Sequence, residues 1–170
     1  MAKLAITAIG ADQPGIVARV TGVLAHRGAN LEDTSMTILG GHFSMMLLVD
    51  VADPTGVESE LADATAELGL VVTARPVGEG HATPPPTHVL SMYGIDRPGL
   101  VADASQVLAE RGVNVTDLTT RILDGDQHVY AMLFEIAVPE GLTPSVLEAD
   151  LTAAVEGVDI TLRPLDAEIF

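Results

Sequence analysis

Asp12-Gln13-Pro14-Gly15-Ile16-Val17 and Asp96-Arg97-Pro98-Gly99-Leu100-Val101 stand 84 residues apart in this chain. Sliding position 12 to 41 over 96 to 125 without a gap gives 15 identical pairs out of 30. Several of the other pairs are conservative, such as Ile16 with Leu100 and Leu31 with Val115. The chain is therefore a duplication. Two copies of this size are too few for a solenoid and read as two small domains. Past Gly125 one extra residue is expected in the second copy. That shift places Met45 to Val49 over Tyr130 to Phe134. Between the copies, Pro76 to Pro86 is rich in Pro and Gly, and Pro84-Pro85-Pro86 favours a semi-rigid polyproline II link. The expected division is domain 1 at 1–78, a linker at 79–86 and domain 2 at 87–170.

Each copy reads strand-helix-strand-strand-helix-strand. Leu4 to Ile9 is a short apolar run rich in β-branched residues, which suits a buried strand. A helix is expected from Pro14, because proline suits a first turn whose N–H would be unbonded. Asp12 is placed to cap it. Ile16, Val17, Val20, Val23 and Leu24 make its apolar stripe. Arg27 and Gly28 close it, the glycine as a left-handed cap. Asn30 to Leu39 and His42 to Val51 read as strands joined at Gly40-Gly41, a two-residue hairpin turn. In the second copy Asp124-Gly125 makes the turn, with the inserted residue as a bulge. Asp53-Pro54-Thr55 opens a second helix carrying Val57, Leu61, Ala64 and Leu68, and Leu70 to Ala74 is the last strand. The second copy repeats the order at His88–Tyr93, Gly99–Arg111, Asn114–Leu123, His128–Val138, Thr143–Val155 and Val158–Leu162. The fold class is α+β: two ferredoxin-like βαββαβ units, each an antiparallel four-stranded sheet with both helices on one face. The bare sheet face is expected to pair, with the tandem copy or with a second chain.

The motifs named above, together with Arg27-Gly28-Ala29-Asn30-Leu31 and Arg111-Gly112-Val113-Asn114-Val115, resemble the paired signatures of ACT domains. The resemblance covers nearly the whole chain, twice. A chain built only of two such domains is similar to the glycine cleavage system transcriptional repressor family. That resemblance implies a regulator that senses a free amino acid, of the glycine or serine class, and acts through a partner regulator or an enzyme. It also implies a homodimer. The alternatives are a ligand-free interaction or dimerisation module, or a regulatory subunit of an amino-acid metabolic enzyme. Catalysis, a cofactor and a metal are not expected. By position the ligand-contacting residues are Asp12, Gln13, Pro14, Gly15, Ile16, Val17, Asn30 and Leu31, with Asp96, Arg97, Pro98, Gly99, Leu100, Val101, Asn114 and Val115. Serine-responsive relatives carry a histidine two residues before the acid, where Gly10 and Gly94 stand here.

The chemistry of those residues suits an amino acid. Helix-start amides at Gly15-Ile16 and Gly99-Leu100 favour a carboxylate. Asp12 or Asp96 could accept from an ammonium, and Asn30 and Asn114 offer both donor and acceptor. Arg97 can pair with a carboxylate where Gln13 can only hydrogen-bond, so the second site reads as the more anion-friendly. Plainer readings stay open. Asp12 and Asp96 could simply cap helices, and Asn30 and Asn114 could be left-handed turn residues. Met36, Met45, Met46, Met92 and Met132 read as core or interface fillers. Ser35, Ser44 and Ser91 lack a paired base, and the five histidines are scattered.

Composition narrows the partners. With 24 acidic and 8 basic side chains the 170-residue chain carries a net charge of −16. That field repels phosphate backbones and anionic membrane surfaces, so direct nucleic-acid or membrane binding is not expected. The chain has no cysteine, which excludes disulfides and thiolate chemistry. No apolar run reaches the roughly 20 residues of a membrane span, and no signal peptide is read at the N-terminus. The expectation is a cytoplasmic protein.

Overall fold

The computed structural model describes residues 2–78, 80, 83–123 and 129–165. The chain divides into two compact units, Met1–His81 and Ala82–Phe170. Of the expected linker, residues 79, 81 and 82 lie outside the described residues.

The first unit runs β1 (Ala2–Ala11), α1 (Ile16–His26), β2 (Asn30–Leu39), β3 (His42–Val51), α2 (Val57–Thr65) and β4 (Val71–Pro76). The second runs β5 (His88–Ile95), α3 (Leu100–Glu110), β6 (Asn114–Leu123), β7 (Val129–Ala137), α4 (Pro144–Ala154) and β8 (Val158–Pro164). Each sheet is antiparallel, ordered β2-β3-β1-β4 and β6-β7-β5-β8. The strand alternation explains the core. Leu4, Ile6 and Ala8 of β1 and Phe43, Met45, Leu47 and Val49 of β3 face inward, and Ile16, Val20 and Leu24 of α1 with Val57 and Leu61 of α2 close over them. In the second unit Leu90, Met92, Met132 and Phe134 meet Leu100, Leu108, Leu147 and Leu151 in the same way. Both helices of a unit thus share one sheet face.

The opposite face of each sheet carries exposed apolar residues. Ile9, Met46 and Val71 of the first unit and Tyr93, Ile95 and Leu133 of the second are exposed. Every residue of the edge strand β2 is exposed. The methionines divide accordingly: Met45, Met92 and Met132 are core, whereas Met36 and Met46 are about half exposed.

Glycines set several ends. Gly28 and Gly112, just past α1 and α3, have φ of 64° and 67°, the left-handed cap expected of them. Gly40 and Gly41 have φ of 57° and 80°, as a type I′ hairpin turn requires. No described residue other than glycine has a positive φ. Asn30 and Asn114 are therefore strand residues, and the left-handed reading of them falls.

Three expectations need correction. The α1 and α3 helices begin at Ile16 and Leu100, after the Pro-Gly pair rather than at it. The α2 helix begins at Val57 rather than at Asp53-Pro54, and a short 3₁₀ turn, Ala66–Leu68, follows it. The insertion in the second hairpin is larger than one residue. β2 and β3 pair up to Leu39 opposite His42, while β6 and β7 pair up to Leu123 opposite Val129. Two residues separate the first pair and five the second. Met45 and Met132 are thus equivalent, each opposite a buried β1 or β5 residue, Ala8 or Met92. The expected Asp124-Gly125 turn lies outside the described residues.

Candidate functional site

The Asp-x-Pro-Gly segments form the same backbone in both units. Gly15 has φ 97°, ψ −9°, and Gly99 has φ 94°, ψ −8°. Those are the dihedrals of the third position of a type II turn, and proline suits the second. Only glycine takes that conformation cheaply. The carbonyl of Gly15 then accepts the amide of Arg19 at 2.9 Å, and that of Gly99 the amide of Asp103 at 2.8 Å. The helix therefore starts after the turn, with no side-chain cap. Asp12 and Asp96 do not cap. The Asp12 amide donates instead to the Gly41 carbonyl at 2.9 Å, tying the turn to the β2–β3 hairpin.

A side chain at Gly10 or Gly94 would meet its neighbours. A Cβ at Gly94 would stand 2.8 Å from Val158 Cγ2 and 3.0 Å from the Gly157 carbonyl. At Gly10 it would stand 2.6 Å from Leu70 Cδ2. Leu70, just before β4, and Val158, at the start of β8, fill the space beside Gly10 and Gly94.

The two units part at the second motif residue. Gln13 Nε2 donates to the Leu68 carbonyl at 2.8 Å, stitching the loop to the end of the 3₁₀ turn. Arg97 instead folds over Gly99: Nη1 and Nη2 each donate to Asp103 Oδ2 at 3.1 Å. Both partners are about two-fifths exposed, so this pair is screened and weak.

In the second unit the motif lines a cleft. Asp96, Arg97, Pro98, Gly99, Leu100, Val101 and Ala102 surround about 690 Å³ of open space with Tyr130. Six sequence-predicted site residues thus meet in one place. Sequence reasoning missed Tyr130, because the one-residue shift aligned it with Met45. Strand pairing sets Tyr130 opposite Gly94 and Phe43 opposite Gly10, so Phe43 is its true counterpart. Phe43 is buried, whereas Tyr130 is half-buried. In the first unit the comparable hollow, about 630 Å³, runs along α1 past Ala18, Gly22 and His26, and Gly15 is its one motif residue.

The asparagines lie elsewhere. Asn30 pairs with Asp50, whose β1 neighbour is Lys3, while the Asp12 loop follows Gly10 at the other end of β1. Seven strand residues separate those rows, about 23 Å at the usual rise. The second unit matches: Asn114 pairs with Ala137, seven residues along β7 from Tyr130. Within one unit Asn30 and Leu31 cannot touch a ligand held at Gly15, nor Asn114 and Val115 one held at Gly99. The arginines of the second motif have a structural job. Arg27 pairs with Glu60 of α2 and donates to the Thr55 carbonyl at 2.8 Å; Arg111 stands 2.7 Å from Asp150 of α4. Among the described residues no group of three or more His, Asp or Glu could hold a metal, and no helix is long and apolar enough to cross a membrane.

Two carboxylates are shifted by their contacts. The Asp53 carboxyl is held below its usual range by the amide and hydroxyl of Thr55, and that of Glu32 by Lys3 and Asp50. Both belong to the first unit.

Comparison with known proteins bears on the family and the fold. The glycine cleavage system transcriptional repressor of Escherichia coli is 29% identical over 133 residues, covering 76% of this chain and 70% of that protein. The phosphoserine phosphatase SerB2 of Mycobacterium tuberculosis is 30% identical over 93% of this chain but only 40% of its own length. A solved structure of an unknown protein from Galdieria sulphuraria superposes with a TM-score of 0.81 at 28% identity, covering 96% of this chain and 98% of that one. ACT domain models match residues 3–75 and 88–149, so the chain belongs to the ACT domain family, with two such domains in tandem.

Proposed function

We propose that this protein is a regulatory amino-acid sensor whose effector binds at the second unit and whose output passes to a protein partner. The observation that carries the reading is the cleft at Asp96 to Val101. It combines a guanidinium, the unfilled amides of a helix start and a carboxylate in one place. An amino-acid carboxylate would compete with Asp103 for Arg97 and take the amides at the start of α3. Asp96 would accept from the ammonium. Because Asn114 stands at the far end of the same unit, an effector touching both motifs must bridge two ACT units, and a homodimer supplies them. The space at Gly94 is filled by Val158, which disfavours a histidine-based serine site.

The first unit supports the ligand-free alternative for itself. Gln13 is already committed to Leu68, and its hollow lies off the motif. It would serve as a pairing module, with the second unit as the sensor. The acidic charge directs the output to a protein, a regulator or an enzyme of amino-acid metabolism, in the cytoplasm rather than to DNA.

Thermal-shift measurement with each free amino acid at millimolar concentration tests the reading. Bound at 100 times its Kd, an effector adds about 2.7 kcal/mol to the folded state. Arg97→Ala should abolish the shift while Gln13→Ala leaves it. Stabilisation by no amino acid, or an unchanged shift in Arg97→Ala, refutes the proposal.

A further inference from the structure

The second sheet has a hollow on the face away from its helices. Residues directly opposite on antiparallel strands share a face, as do residues two apart on one strand. Arg121 of β6 pairs with Ala131 of β7, and Ala131 pairs with Tyr93 of β5. The three form one row across the sheet. The next row carries Thr119 and Leu133, and Leu123 stands two residues beyond Arg121 on β6. Ala131 is the small residue in the middle, so the longer side chains around it enclose about 360 Å³ of open space. Met132 completes the lining, with its own side chain buried in the core.

Arg121 is the one charged residue of that lining. It is exposed and makes no ion pair among the described residues. Two strand spacings, about 10 Å, separate its backbone from that of Tyr93. A cation and an aromatic ring thus face each other across a short apolar floor. The matching row of the first sheet is Thr37, Ser44 and Ile9. It has neither a cation nor an aromatic ring.

The geometry points to a second ligand site on this face, for a small planar monocarboxylate: an aromatic ring bearing one carboxylate and no ammonium. The ring rests on Ala131 between Leu123 and Leu133, against Tyr93, where apolar burial and ring contact hold it. Its carboxylate takes the Arg121 guanidinium, and the Thr119 hydroxyl donates a further bond. The lining disfavours other classes. An α-amino acid carries an ammonium on the carbon beside its carboxylate, and no carboxylate lines the hollow to receive it. A second acid group at the far end of the ring would approach Asp159, which pairs with Tyr93 from β8. A monocarboxylate meets neither penalty. The site therefore differs in chemistry from the cleft at Asp96 to Val101, where a carboxylate stands beside Arg97.

Calorimetric titration of the full chain with 2-naphthoate, up to millimolar concentration, should show one saturable site per chain. 2-Naphthylmethanol, the same ring without the charge, should bind about tenfold more weakly, as the loss of a charge-assisted contact implies. Arg121→Gln should lower the affinity for 2-naphthoate by a similar factor and leave that for the alcohol unchanged. Ala131→Leu fills the hollow and should weaken both. Arg163→Gln removes the same charge from β8, on the same face but outside the lining, and should change neither. Arg121 is exposed on an edge strand, so its substitution leaves the fold intact and decides the matter even where Ala131→Leu unfolds. No binding of 2-naphthoate to the wild type, equal affinity for carboxylate and alcohol, unchanged affinity in Arg121→Gln, or an equal loss in Arg163→Gln overturns the inference. So does a wild type that binds nothing while Arg121→Glu changes the sedimenting mass, because the face is then a contact between protein chains.

Discussion

Replacing Gly99 by alanine isolates the energy stored in the turn that shapes the cleft. The added Cβ meets nothing closer than Asp103 Oδ1 at 3.9 Å, an ordinary contact. Sterics therefore contribute little. The cost is the backbone, since φ is +94° and an L-residue there pays about 1–2 kcal/mol. The assay can be confined to one unit. Both tyrosines, Tyr93 and Tyr130, lie in the second unit, and the chain has no tryptophan. Tyrosine fluorescence during urea unfolding reports that unit, while circular dichroism reports both. With a slope near 1.5 kcal/mol/M, a loss of about 1.5 kcal/mol moves the tyrosine midpoint down by about 1 M. Gly15→Ala, with φ +97° and nothing within 4 Å, should lower the first unit's transition, read by circular dichroism, by a similar amount. Gly22→Ala is the control. It too has open space, but it lies inside α1 without a positive φ, so it should stabilise by about 0.5–1 kcal/mol. The same chemical change thus has opposite signs for a stated reason. A neutral or stabilising Gly99→Ala would refute the account of the turn.

Other substitutions probe the packing around the site. Gly94→Ala should cost about 1–3 kcal/mol, because it meets the Gly157 carbonyl and a β-branched Val158. Gly10→Ala should cost less, since the end of Leu70 can rotate away; equal urea midpoint losses would contradict this. Leu24→Ala and Leu108→Ala remove matched, fully buried side chains of α1 and α3 and should each cost about 2–5 kcal/mol. A loss below 1 kcal/mol in either, measured by urea unfolding, would mean that the helix is not packed as described. Asp53→Asn tests the acid limb of stability. The Asp53 carboxyl is lowered from 3.8, so its contribution is fully present above that value and disappears as pH falls through the lower folded value. Unfolding midpoints taken from neutral to strongly acidic pH should fall less steeply for Asp53→Asn than for wild type. Identical slopes would show that the Thr55 contacts do not hold the charge.

Much of the fold was legible because local chemistry and the repeat pointed the same way. Gly28, Gly40, Gly41 and Gly112 stand at positive φ where helix ends and a hairpin needed them. Strands β2 and β3 run over Asn30–Leu39 and His42–Val51, the bounds read from the sequence. The helix start was misread because Pro14 fits two roles, the first turn of a helix and the second position of a type II turn. The conformation of Gly15 decides between them. The second hairpin was misaligned because Met45 to Val49 and Tyr130 to Phe134 are both apolar runs, and such runs slide freely. Only backbone pairing fixes that register, and with it Tyr130 enters the cleft. The distance between Asn114 and Gly99 was invisible for another reason. They are 15 positions apart in the chain, but α3 carries the backbone from one end of the sheet to the other between them.

The net charge of −16 acquires a finer meaning from where the eight cations go. Lys3, Arg27, Arg97 and Arg111 are each paired with a carboxylate of their own unit. The other four, Arg19, Arg75, Arg121 and Arg163, sit singly on α1, β4, β6 and β8. A protein that tracks a nucleic-acid backbone neutralises roughly six to ten phosphates with a contiguous basic face. Four isolated arginines on an acidic chain do not build one. Of these four, Arg19 alone lies on a helix. The duplication left the two helix faces different in charge: positions 19, 22 and 26 are Arg, Gly and His on α1, and positions 103, 106 and 110 are Asp, Gln and Glu on α3.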